Sequence, residues 1–134
     1  MPQDFQMLVS ECSRASDEGR MAFGEVVARL IAAGVERYHV DVRGARTYFR
    51  RDGLTASTVG PAVAAAVADD FSADGVESAV RASQKGEIGY REFCERIAAA
   101  GCPGYMAFLD GQRVLYYGRQ GDAHVEYFPG ARKP

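Results

Sequence analysis

The stretch Arg81–Gly111, RASQKGEIGYREFCERIAAAGCPGYMAFLDG, repeats Arg14–Gly44, RASDEGRMAFGEVVARLIAAGVERYHVDVRG. The offset is 67 residues, half the chain length of 134, and 11 of the 31 aligned positions are identical. The identities fall where local structure is demanding: Gly19 on Gly86, Glu25 on Glu92, Ala33-Gly34 on Ala100-Gly101, Tyr38 on Tyr105. A self-similar period of this kind means one supersecondary unit used twice. Each copy reads as loop, helix, turn, strand. Val26, Val27, Leu30 and Ile31 recur at helical spacing, and so do Phe93, Cys94 and Ile97. Met21 and Ile88 precede weak caps, Ala22 and Gly89, and can staple onto Val26 and Phe93. Glu25 and Glu92, at the third helical position, can reach free N–H groups of the first turn. Gly34 and Gly101 supply the left-handed residue that ends a helix. One helix and one hairpin cannot bury their apolar faces alone. The expectation is a single domain, residues 1–134, of two pseudo-symmetric halves (about 1–67 and 68–134) packed about an approximate two-fold axis.

Outside the repeated unit, Phe5, Leu8, Val9 and Cys12 predict an amphipathic helix over 3–14. Residues 37–43 alternate as a strand, with Tyr38, Val40 and Val42 on one face and His39, Asp41 and Arg43 on the other. Thr47-Tyr48-Phe49 starts its partner, closed by Asp52-Gly53. Ser57 to Pro61 resets the chain into a helix striped by Val63, Val67 and Phe71, with Ala64 and Ala68 beside them. A short helix follows from Asp74, then helix 90–100 and strands 104–109, 112–117 and 123–128. Helices and hairpins without long crossovers predict an α+β fold, with about five mostly antiparallel strands and helices on one face.

A chain of this length buries roughly 65–70 % of the surface its unfolded form exposes. Its net charge of -2 speaks against nucleic acid or an anionic membrane as principal partner. Cys12, Cys94 and Cys102 form no Cys-x-x-Cys pair and leave one odd, which fits a reducing cytoplasm and buried thiols. No signal peptide or membrane-length apolar run is present, so the expected location is cytoplasmic.

Several phrases carry a resemblance. They are Ala33-Gly34-Val35 with Tyr38-His39-Val40-Asp41, Ser83-Gln84-Lys85-Gly86-Glu87-Ile88, Tyr90-Arg91-Glu92-Phe93, Tyr117-Gly118-Arg119 and His124-Val125-Glu126. Together they resemble a small bacterial family of unknown function, YbcV-like, whose members carry the label "phage envelope protein". The resemblance implies a soluble single domain and carries over no activity or cofactor.

The candidate binding residues are His39, Asp41, Tyr48, Tyr117, Arg119, His124 and Glu126, on the polar end of the sheet. His39-x-Asp41 and His124-x-Glu126 each share a strand face. On neighbouring strands, two imidazoles and two carboxylates could meet a divalent metal; solvated strand faces are the bland alternative. Arg119 could clamp an anion beside Tyr117 and His124. The pairs Tyr48-Phe49, Tyr116-Tyr117 and Tyr127-Phe128 each send one ring inward and one outward. The strand bearing Met106 and Phe108 is apolar on both faces and needs a cover, either the 59–84 helices or a second copy in a homodimer. No dinucleotide fingerprint, phosphate loop, zincin helix or nucleophile elbow occurs, so no cofactor, metal or catalytic residue is assigned. The leading expectation is a non-enzymatic module for a small ligand or a protein partner. The rivals are a small enzyme enclosing a His/carboxylate pair and a phage-derived assembly protein.

Overall fold

A computed structural model describes residues 2–61, 63 and 66–131. Two helices, α1 (Pro2–Asp17) and α2 (Phe23–Ala32), precede three strands, β1 (Val35–Asp41), β2 (Ala45–Arg50) and β3 (Thr55–Val59). The same order then recurs: α3 (Ala73–Gln84) and α4 (Tyr90–Ala99), then β4 (Gly104–Phe108), β5 (Arg113–Tyr117) and β6 (Ala123–Tyr127). All six strands form one antiparallel sheet in the order β3-β2-β1-β4-β5-β6. The fold is α+β, with six strands where about five are expected.

Helix ends follow the glycines. Gly19 and Gly86 both have φ 73°, and the next residues, Arg20 and Glu87, donate back to Ala15 and Ala82. Such bonds satisfy carbonyls that the end of a helix leaves open. Gly34 and Gly101 close α2 and α4 at φ 88° and 83°. Ala22 and Gly89 make no side-chain cap, and Met21 and Ile88 pack into the same clusters as Val26 and Phe93. The carboxylates of Glu25 and Glu92 go elsewhere than expected. They pair along the helix with Arg29 (3.8 Å) and Arg96 (2.7 Å). Exposed pairs of this kind add only about 0.3–0.5 kcal/mol each.

The middle of the sheet is the β1–β4 ladder, where His39 faces Met106, Tyr38 faces Ala107 and Val40 faces Tyr105. Alternation sends Tyr38, Val40, Tyr48, Tyr105, Ala107 and Tyr116 to the helical side. Two apolar clusters form there, one beneath α1 and α2 around Leu30, the other beneath α3 and α4 around Ile97. Leu30 and Ile97 are both completely buried, and each such side chain contributes about 1.5–3 kcal/mol by leaving water. The β4–β5 turn holds one residue more than the β1–β2 turn and places Gln112 at φ 52°. Tyr38 therefore pairs with Tyr48, and Tyr105 with Tyr116.

Two expectations fail between residues 55 and 72. Thr55–Val59 is a strand paired to β2. Among the described residues after it, 60, 61, 63 and 66–72, there is no helix. Ala64 of the expected helix lies outside the described residues. The chain there is recruited by α4 instead: Ala68 N donates to Ala98 O (2.9 Å) and Ser72 N to Ala100 O (2.8 Å). Ala98 O, which also accepts from Gly101 N, and Ala100 O just past the helix thus give the segment two main-chain anchors. Val63 and Val67 are buried all the same. A helical stripe marked burial correctly and conformation wrongly.

Candidate functional site

Between the two helix pairs, on the helical side of the β1–β4 seam, lies a cavity of about 630 Å³. Its lining comes from matching places in the two halves. Ser16 and Ser83, Phe23 and Tyr90, Val26 and Phe93, and Tyr38 and Tyr105 all line it and are 67 residues apart. Tyr48 and Tyr116 join them as the cross-strand partners of Tyr38 and Tyr105. Their ring pairs are alike: centroids 5.4 Å apart for Tyr38–Tyr48 and 5.2 Å for Tyr105–Tyr116. Phe93 meets the Tyr105 and Tyr116 rings edge-on. Across the halves, Phe23 meets Phe128 at 5.1 Å.

The polar lining breaks this likeness. On β2, Arg46 is buried and holds α1 to the sheet through Ser13 Oγ (2.5 Å) and Asp17 (2.9 and 3.1 Å). The corresponding place on β5 is Val114. Conversely, β6 carries a buried Glu126 beside Val114, where β3 has Thr58 beside Arg46. Glu126 accepts from Arg81 of α3 (2.8 Å) and meets His124 Nε2 at 2.6 Å. Burial would raise the Glu126 pKa, but Arg81 and His124 together hold it below the usual glutamate value. Burial would discharge Arg46, and Asp17 and Tyr90 more than offset that. Each half thus places one buried charge against the cavity, of opposite sign and already compensated.

The tyrosines are neutral phenols. Burial raises the pKa of Tyr38, Tyr48, Tyr90, Tyr105 and Tyr116, Tyr90 to about 12. Tyr90 and Tyr105 share a hydrogen bond of 3.3 Å. Among the described residues the hydroxyls of Tyr38 and Tyr116 have no hydrogen-bond partner and no fully buried side-chain oxygen lacks one, so neither hydroxyl is sealed in protein, and both tyrosines line the cavity.

The seven residues expected to form one site do not meet. Tyr48 and Glu126 line the cavity. His39, Asp41 and Tyr117 lie on the opposite, uncovered side of the sheet, where His39 Nε2 and Tyr117 Oη are 2.6 Å apart. This pair lies over Gly104: a Cβ there would stand 2.7 Å from Tyr117 Oη and 3.3 Å from His39 Nε2. Asp41 accepts from Arg43 N (2.7 Å) and shapes the β1–β2 turn. Arg119 donates to Val67 O (3.1 Å) and secures the 66–72 segment. The two His/carboxylate pairs cannot share a metal. They stand on β1 and β6, with β4 and β5 between, and face opposite sides. Among the described residues, Glu77, His124 and Glu126 bring ligand atoms within 4.8 Å of one another, but Arg81 bonds to both carboxylates there.

The model of a family described as Protein of unknown function (DUF1398) matches residues 44–126, more than half of the chain. The chain belongs to that family. The DUF1398 match begins at Gly44 and takes in β2, β3, α3, α4, β4, β5 and most of β6, including Arg46, Tyr48 and Glu126. No curated protein matches the chain. Among the described residues no helix is long and apolar enough to cross a membrane.

Sequence reasoning missed Arg46, Tyr38, Tyr90, Tyr105 and Tyr116 as lining residues. A signal existed: Tyr38 and Tyr105 are identical across the repeat. Likeness between the copies suggested framework, whereas here the shared residue faces the common cavity. The thiols are buried as expected, and burial raises the pKa of Cys12, Cys94 and Cys102, the last to about 11.

Proposed function

We propose that this chain is one domain made by doubling a two-helix, three-strand unit, and that its two halves bind a small molecule in the cavity between them. The observation that carries the reading is the cavity's place: it lies between the helix pairs and takes matching aromatic residues from both. Its volume falls within the roughly 300–1,000 Å³ of small-molecule sites, which are mostly apolar with a few placed polar groups. The neutral tyrosines favour binding over acid–base chemistry, which needs groups titrating near the working pH. One observation favours a small enzyme instead: His124 bonds to Glu126 at the cavity's edge. It weighs less because the imidazole does not line the cavity and Arg81 occupies the other Glu126 oxygen.

The test uses the neutral dye N-phenyl-1-naphthylamine. Saturable, one-to-one fluorescence enhancement is expected with the wild-type chain. Val26→Phe/Val114→Phe should weaken it at least ten-fold, since Phe is what the second half carries opposite Val26. Ser83→Trp, at a solvent-exposed lining position, is the second variant should the first not fold. Enhancement that is unsaturable, or unchanged in a folded variant, sinks the reading.

The uncovered sheet side supports a separate proposal, a homodimer. The side away from the helices carries half-buried Phe49, Met106, Phe108 and Leu115 and exposed Val125, with no described element over them. The expected cover from the 59–84 region is not there, since α3 lies on the other side. A phage-type assembly role, to which the YbcV-like phrases point, would use this same surface. Light scattering should give twice the chain mass, and Met106→Glu should halve it; a wild-type monomer at high concentration overturns the proposal.

A further inference from the structure

Resting on that binding reading, we propose that the ligand is an uncharged planar aromatic molecule carrying a hydroxyl or carbonyl oxygen. Three features of the lining point the same way.

The first is charge. Arg46 is matched by Asp17, and Glu126 by Arg81 and His124. A ligand with net charge would meet no free counter-charge to offset its desolvation. A neutral one leaves both ion pairs intact. The second is the wall. The Tyr38–Tyr48 and Tyr105–Tyr116 pairs are tilted by 31° and 44°, and Phe93 stands nearly perpendicular to Tyr105 and Tyr116. Rings at these angles offer faces and edges to a further flat ring, the offset and edge-on contacts that aromatic groups prefer. The third is the pair of hydroxyls. Tyr38 and Tyr116 line the cavity, one from each half, and their hydroxyls have no partner among the described residues. A phenol both donates and accepts, so either can serve a ligand hydroxyl or carbonyl. A ligand lacking such oxygens would leave both phenols unpaired wherever it displaced their water, and sites built around hydrogen bonds discriminate against that strongly.

Four naphthalenes of nearly equal shape make the test: 2-naphthol, naphthalene, 2-naphthoate and 2-naphthylmethylammonium, titrated at pH 7 by tyrosine fluorescence and calorimetry. The expected order has 2-naphthol tightest, by at least ten-fold over each of the others. In Tyr38→Phe/Tyr116→Phe, which keeps both rings, 2-naphthol should fall to the affinity of naphthalene, while naphthalene itself is unchanged. A merely structural role for the two tyrosines would weaken both alike. If the naphthoate or the ammonium compound binds tightest, and Val26→Phe/Val114→Phe removes it, the ligand class is wrong while the cavity reading stands. If none of the four binds while N-phenyl-1-naphthylamine still does, the ligand class is wrong and the cavity reading stands; if the dye also fails to bind, both fall.

Discussion

Gly101→Ala should destabilise the protein by about 2–5 kcal/mol in urea unfolding, and Gly34→Ala by only about 1–2 kcal/mol. The two glycines end matching helices at nearly the same φ, 83° and 88°, so the backbone strain of adding a side chain is the same. Their surroundings differ. A Cβ on Gly34 would find Arg50 Nε at 3.8 Å, an ordinary contact. A Cβ on Gly101 would strike the Asp70 carbonyl and stand 2.7 Å from its carbon and 2.9 Å from Phe71 Cα. The obstacle is main chain, held in place by Ser72 N bonding to Ala100 O, so it cannot swing aside. Equal losses for the two variants would show that the 66–72 segment does not lie over the end of α4.

Arg46→Met should cost about 3–5 kcal/mol, the range for removing one partner of a buried ion pair. The guanidinium side chain is 8 % exposed and the Asp17 carboxylate 20 %, and Asp17 draws its bonds from Arg46. Without Arg46, the Asp17 carboxylate loses its guanidinium at the carbonyl end of α1, where the helix dipole also opposes an anion. Arg46→Met/Asp17→Leu removes both charges and should be more stable than the single variant. Urea midpoints of the two decide it. A single-variant loss below about 1 kcal/mol, or a double variant worse than the single, contradicts a buried compensated pair.

The repeat made most of the fold legible. Helices expected at 22–33 and 90–100 are Phe23–Ala32 and Tyr90–Ala99, because Val26/Leu30 and Phe93/Ile97 set helical stripes between unambiguous glycine stops. The strand at Thr55–Val59 was hidden because its Thr and Ser residues also suit turns and caps. The Ala/Val run after Pro61 misled for a different reason. Helix propensity is worth tenths of a kcal/mol per residue, less than bonding the open end of α4.

The candidate site was less legible, and the cause is topological. Polar residues two apart on a strand share a face, but no local pattern says which side of the sheet that face joins. Nor could spacing reveal that β1 and β6 stand at the middle and the edge, with two strands between. Arg46 and Thr47 illustrate the difficulty: adjacent on β2, one is buried under α1 and the other lies on the uncovered side.

Within each trio of strands every ladder joins consecutive segments, so both can zip from their own hairpins. Only the β1–β4 ladder joins residues about as far apart as half the chain, and it forms the floor beneath the aromatic chamber. Assembly of that floor and closure of the chamber should therefore coincide, because the longest loop has to close for both. A guest lodged there would act as a latch, holding the protein's two halves shut for as long as it stays.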